Sequence, residues 1–209
     1  MFLSLISLSL DKPDTAWGLI HPNVFHEELG ACFGGRGTGR LLWRIDKIYD
    51  RMCLFVLSNE KPKLSRFCKK FSDSEDSFTV KGYDSFLDKL QENDVCRFRL
   101  AANPTWSEKS LNDSGKRGKV HAHTVPLAQK KWLIDHSAKN GFSLSEDSFA
   151  ILESEWRRFM KKDGSNLSLI YVKYEGILKI TNIDLFRSVL TSGIGRGKAY
   201  GMGLMTVIR

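Results

Sequence analysis

The residues best suited to chemistry at neutral pH are the five histidines, because an imidazole with a pKa near 6.5 can either take or give a proton. His26 stands in the string His21-Pro22-Asn23-Val24-Phe25-His26. Pro22 suits the first turn of a helix, and Phe25, Leu29, Cys32 and Phe33 then fall on one stripe, so the spacing predicts a helix from Pro22 to about Phe33. His26 lies one turn inside it, with Asn23 three residues earlier on the same side. A lone helical histidine is more often structural than reactive, and His21 competes for any role. His121 and His123 form a second pair, but no Cys or His pair stands at zinc-binding distance in the sequence, so no metal site is expected.

Glycines are the next chemically suggestive group. Gly34-Gly35-Arg36-Gly37-Thr38-Gly39-Arg40 must end the His26 helix. A second stretch runs from Gly193 to Gly203 and carries Arg196 and Lys198. It has neither the P-loop nor the dinucleotide spacing, so nucleotide cofactors are not expected. Close approach to an anionic backbone and plain packing on a sheet explain it equally well.

These residues need elements to hold them. Phe2 to Leu10 alternates with serines as a strand does, and Leu41 to Ile48 and Met52 to Ser58 read as two strands joined at Tyr49-Asp50-Arg51. Ser65 to Phe71 reads as a short helix, and a weak strand follows the polar loop at Ser72 to Ser77. After position 92 the order returns: strand Val95 to Ala101, helix Leu127 to Lys139 after Pro126, and strands Phe149 to Met160 and Leu167 to Ile180 around Lys162-Asp163-Gly164. A helix from the Asn182 cap to about Leu190 and a strand Leu204 to Ile208 complete it. Two copies of a split βαβ unit fit this order, although no identity between the copies is visible.

Charge is divided unevenly. Residues 1–92 hold 13 Lys+Arg and 13 Asp+Glu, while residues 93–209 hold 19 and 11, so the whole net charge of +8 belongs to the second half. A polyanion is the expected partner. No basic segment has the long apolar face of an interfacial helix, which favours nucleic acid over membrane, with a merely solubilising surface as the alternative. Lys116, Arg117 and Lys119 suggest a basic loop able to meet phosphates, and Arg157, Arg158, Lys161 and Lys162 a basic hairpin or simply a solvated tip. Four widely spaced cysteines in apolar strings read as buried reduced thiols and a cytoplasmic protein, and Met1 to Leu10 reads as neither signal peptide nor membrane span.

Taken together, these strings resemble the CRISPR-associated repeat-processing endoribonucleases of the type I-E Cascade system, the CasE family. His21 to His26 with Leu29 and Phe33 resembles its catalytic segment, and Arg40-Leu41-Leu42-Trp43-Arg44 its next strand. Arg97 to Thr105 resembles the strand opening its second domain, and Val125-Pro126-Leu127 with Trp132-Leu133 the following helix. Arg157-Arg158 with Lys161 to Gly164 resembles its basic hairpin, and Gly193 to Leu204 its C-terminal signature.

The resemblance implies an α+β protein of two tandem ferredoxin-like (RRM-like) βαββαβ domains, residues 1–92 and 93–209. It implies a metal-independent, cofactor-free cut at the base of a repeat stem-loop, with the product kept among other Cascade subunits, and it makes His26 the general acid or base. The alternative is a non-catalytic stem-loop-binding subunit of the same fold. Two features depart from the family pattern. Asn23 stands where many members carry tyrosine, and its amide can position a group but cannot exchange a proton near pH 7. Glu27, Glu28 and Ala31 replace the basic residues after the histidine, leaving Arg36 or Arg40 to steady the phosphate.

Overall fold

The structure, a computed structural model, describes residues 1–33, 41–108, 118–160 and 164–209. In chain order the first half contains β1 (Phe2–Leu8), α1 (Pro13–Ile20), α2 (Pro22–Gly30), β2 (Leu42–Ile48), β3 (Arg51–Ser58), α3 (Ser65–Phe71), β4 (Phe78–Gly82) and α4 (Asp84–Leu87). Its four strands form an antiparallel sheet ordered β2-β3-β1-β4. Alternation puts Ile6, Leu8, Trp43, Leu54 and Val56 on one face, where Phe25, Leu29, Phe67 and Phe71 from the helices bury them.

The second half contains β5 (Val95–Ala102), β6 (Thr105–Ser107), β7 (Val120–Ala122), α5 (Pro126–Ser137), β8 (Phe142–Ser143), β9 (Phe149–Met160), β10 (Asn166–Ile180), α6 (Ile183–Ser192) and β11 (Met205–Ile208). Its main sheet is ordered β11-β5-β10-β8, with β9 also on β10. Trp132, Leu133, Phe186 and Leu190 cover its helix-side face. Asn182 caps α6, its side-chain oxygen accepting from the Leu185 amide at 3.0 Å. A bulge interrupts the long β9–β10 hairpin: Lys173 pairs with Glu153 but Tyr174 with Ile151, so Leu152 has no partner. Phe149 and Ile151 therefore share the helix-side face with Ser154, which accepts from Gln129 of α5 at 2.9 Å.

The strands β1 to β5, β9, β10 and β11 and the helices α2, α3, α5 and α6 fall where pattern predicts. The helices α1 and α4, the β6–β7 hairpin and the two-residue β8 do not. Pro13 opens α1, which packs because Thr15 donates to the Phe71 carbonyl at 3.0 Å and Gly18 leaves room for the Phe25 ring. The short α4 and the β6–β7 hairpin carry too few residues to show a period. The α2 helix also ends at Gly30, short of Phe33. Among the described residues no helix is long and apolar enough to cross a membrane.

The two sheets meet through the face of the first that its helices leave bare. Leu42 and Leu57 enter the core of the second half, as do Tyr83, Leu87 and Leu90 from the connecting segment. Beside them Arg44 and Asp46, each 1% exposed, form a buried pair at 2.7 Å. Arg44 donates further to the carbonyls of Arg99 and Leu204, at 2.8 and 2.7 Å, and to Thr206 Oγ1 at 2.7 Å. One guanidinium thus joins β2 to β5 and to the β11 segment, with its donors satisfied as a buried charge requires.

Candidate active site and nucleic-acid interface

Phe25 and Leu29 hold α2 in the core and turn Asn23 and His26 to its other side. Both are half-buried, and both keep a buried polar atom, Asn23 Oδ1 and His26 Nδ1, that meets no hydrogen-bond partner among the described residues. They lie one turn apart on α2, and each leaves a hydrogen bond to be made. Burial lowers the His26 pKa below its ordinary value, against a smaller opposing pull from Glu27, so the neutral imidazole prevails at pH 7. His21 stands apart between α1 and α2, its ring 3.9 Å from that of Trp17.

The C-terminal glycine-rich segment braces this helix. Its short 3-10 turn, Lys198–Tyr200, lies against α2 and β2. Gly201 has φ +78°, and a Cβ there would stand 2.6 Å from the Trp43 ring, which in turn packs on Phe25. Gly193 is also tight, a Cβ there standing 2.9 Å from both Leu42 and the Gly203 carbonyl. Of the two readings open from sequence, packing accounts for these glycines. Lys198 is half-buried in the turn, while Arg196 is exposed. A cavity of about 210 Å³ opens beside the turn between the two halves, bounded by Pro22, Trp43, Lys47, Arg157, Tyr171 and Gly201.

The structure separates Arg157 from Arg158. Arg157 faces the first sheet, its guanidinium 3.4 Å from the Tyr171 ring centre and paired with Glu155 at 2.7 Å. Arg158 alternates to the other side and is exposed, as is Lys119 next to β7. Arg36, Arg40, Lys116, Arg117, Lys161 and Lys162 lie outside the described residues.

Sequence reading missed the charged layer between the sheets. Asp46 also draws Arg99 to 3.7 Å and Lys173 to 4.0 Å, and Lys173 pairs with Glu153 at 3.2 Å. Arg97 and Arg99 both donate to Glu175; burial pushes its carboxyl up, but their hydrogen bonds and charges outweigh that and hold it below the usual range. The available signal was Arg44 and Asp46 at alternate positions of an otherwise apolar strand. The four cysteines are free and buried, with burial pushing Cys32 and Cys68 up to about 11. Among the described residues no three His, Cys, Asp or Glu side chains gather as a metal would need. His121 instead stacks on Trp106 and lies 3.3 Å from Glu108.

Comparison with known proteins places these features in a family. The model described as CRISPR associated protein matches residues 1–209. The CRISPR-associated endoribonuclease Cse3 of Thermus thermophilus is 30% identical over 223 aligned residues, covering 99% of each chain. Among solved structures, CRISPR endoribonuclease Cse3 bound to a 19-nucleotide RNA superposes with a TM-score of 0.83 at 25% identity, over 100% of both chains. The CRISPR-associated protein Cas6e from Escherichia coli str. K-12 shares the fold at TM-score 0.66 and 20% identity, covering 99% of this chain and 98% of its own. With similarity running from the first residue to the last, the chain belongs to the CRISPR-associated protein family, as a type I-E CasE.

Proposed function

We propose that the chain is an endoribonuclease that cuts CRISPR repeat RNA and works among the other subunits of a Cascade surveillance complex. What carries this reading is its end-to-end likeness to a CRISPR-associated endoribonuclease, matched by a fold like that of an RNA-bound relative. The strand orders β2-β3-β1-β4 and β11-β5-β10-β9 support two ferredoxin-like units, with residues 1–92 and 93–209 as the domains. Four reduced thiols suit a cytoplasmic protein.

His26 is the proton-transfer group of this proposal. With its imidazole neutral at pH 7, it takes the 2′-hydroxyl proton as that oxygen attacks the adjacent phosphorus. The P–O5′ bond breaks as the P–O2′ bond forms and the 5′-oxygen takes a proton from water, giving a 2′,3′-cyclic phosphate and a 5′-hydroxyl, and the chemistry needs no metal. Asn23 positions the hydroxyl or phosphate through its amide. Arg36 and Arg40 steady the phosphate, while Arg158, Lys161, Lys162, Lys116, Arg117, Lys119, Arg196 and Lys198 offer cations to the stem-loop. Arg157 supports the hairpin from its inner face. The cut falls at the base of the stem, and the product stays bound.

Asn23 also favours a second reading, in which the chain binds the stem-loop without cutting it. Incubating the purified protein and its His26→Ala variant with palindromic repeat RNAs in EDTA separates the two. One sharp cut by the wild type, slowed about 10²- to 10⁴-fold in the variant with binding retained, supports the enzyme. Tight binding with no cut supports the second reading, and an unchanged rate in the variant removes His26 from the chemistry.

A further inference from the structure

Beyond the end of β5 the second sheet opens into a groove of about 480 Å³, within the range of about 300–1,000 Å³ usual for small-ligand sites. It exists because β5 pairs with β10 only from Val172 onward, so among the described residues Asn166 to Tyr171 of β10 carry β9 on one edge and no strand on the other. The chain leaves β5 at Asn103, which bridges to Arg196 of the glycine-rich segment. Asn103, Trp156, Ser168, Ile170, Arg196 and Tyr200 are among the lining residues, and no described acidic residue is.

Three features describe the occupant. Asn103 is only 3% exposed, yet its Oδ1 has no hydrogen-bond partner among the described residues. An amide oxygen accepts only, and leaving it buried and unmet is costly, so the complementary group is a donor. Trp156 is 48% exposed and offers an aromatic surface of the kind on which bases stack. Arg196 is exposed at the rim and suits an anion. Donor edge, flat ring and phosphate together describe a nucleotide. Bases within a stem already use their pairing edges, so the nucleotide is an unpaired one.

We propose that this groove seats one unpaired nucleotide of the RNA. Its base stacks on Trp156 and donates from its pairing edge to Asn103 Oδ1, and its phosphate meets Arg196. The inference rests on the RNA-cutting reading above and adds to it a pocket that selects by hydrogen bonding outside the stem.

The test measures affinity for a repeat hairpin carrying its natural unpaired flanks. Each unpaired position is replaced in turn by an analogue that cannot donate from its pairing edge: purine riboside for purines, N3-methyluridine for pyrimidines. In wild type one position should lose about tenfold in affinity, which corresponds to roughly 1.4 kcal/mol. In Asn103→Leu the unmodified RNA should bind about tenfold more weakly and that position should become indifferent. The variant's thermal midpoint should not fall, because an unmet buried acceptor has gone. Trp156→Ala, an exposed change that does not depend on leucine fitting the site, should lose about tenfold or more.

Equal tolerance of the analogues at every unpaired position, or wild-type affinity in both variants, would overturn the pocket while leaving the RNA-cutting reading intact. Wild-type RNA affinity with lost association to a neighbouring protein subunit would also overturn it, assigning the free β10 edge to a polypeptide strand. Failure of the wild type to bind any hairpin would overturn the RNA reading and the pocket with it.

Discussion

The second sheet carries basic side chains on both of its faces, and the two sets behave differently. On the face toward the first sheet, Arg97, Arg99, Arg157 and Lys173 are each matched by Glu175, Asp46, Glu153 or Glu155. On the far side Arg158, and beyond the end of β5 Arg196 of the glycine-rich segment, are exposed and form no ion pair among the described residues. Net charge alone does not distinguish these sets. Acidic partners hold the inner cations in place, with Asp46 drawing Arg99 and Lys173 across the two halves, whereas the outer ones stay available to a polyanion.

The largest expected effect breaks the inner set. Arg44→Met leaves Asp46 without its closest cation in a buried layer and should cost about 3–5 kcal/mol in denaturant unfolding. Pairing that change with Asp46→Leu should recover much of the loss, since neither charge is then stranded. A double variant no more stable than Arg44→Met would mean that the carbonyl and hydroxyl contacts of Arg44, rather than its ion pair, hold the halves together.

A smaller effect sharpens the contrast between neighbours. Arg158→Ala should weaken stem-loop binding and reduce the slope of log affinity against log salt by about one. Arg157→Ala should leave that slope unchanged, because its guanidinium already serves Tyr171 and Glu155. Equal slopes in the two variants would dissolve the distinction between the faces.

The smallest effect concerns pH. A general base must be deprotonated, and burial lowers the His26 pKa, so the single-turnover cutting rate should be flat from pH 7 to 8 and fall only as pH drops through a midpoint below 6.5. A midpoint above 6.5 would argue that the imidazole acts as the acid. The same shift makes folding less favourable in acid. The unfolded chain binds the His26 proton more readily, so its contribution to stability shrinks as pH falls from about 6.5 toward the folded-state pKa.

Much of the architecture was legible because apolar residues repeat with period two in the strands and along one stripe in α2. The elements that escaped are held by contacts rather than patterns. α1 depends on Gly18 meeting Phe25, and the β6–β7 hairpin pairs only three residues on each strand. Within the candidate site, His26 and Asn23 were readable from helical spacing. The division of Arg157 from Arg158 follows from simple alternation, but which of the two faces the first sheet depends on how that sheet docks. Asn103 could not have been found at all, since an unmet buried oxygen is a property of packing and leaves no mark on residue order.

The unpartnered Leu152 absorbs one residue of chain without disturbing what lies on either side of it. Deleting it would close the bulge with Glu153 still opposite Lys173 and Arg157 still opposite Leu169, so both faces keep their side chains. Deleting Ser154 while the bulge stays would instead move each later residue one place along β10, turning Arg157 outward and Arg158 toward the first sheet without altering one charge in the chain. Between the bulge and the tip of this arm, length is therefore as much a part of the specification as composition.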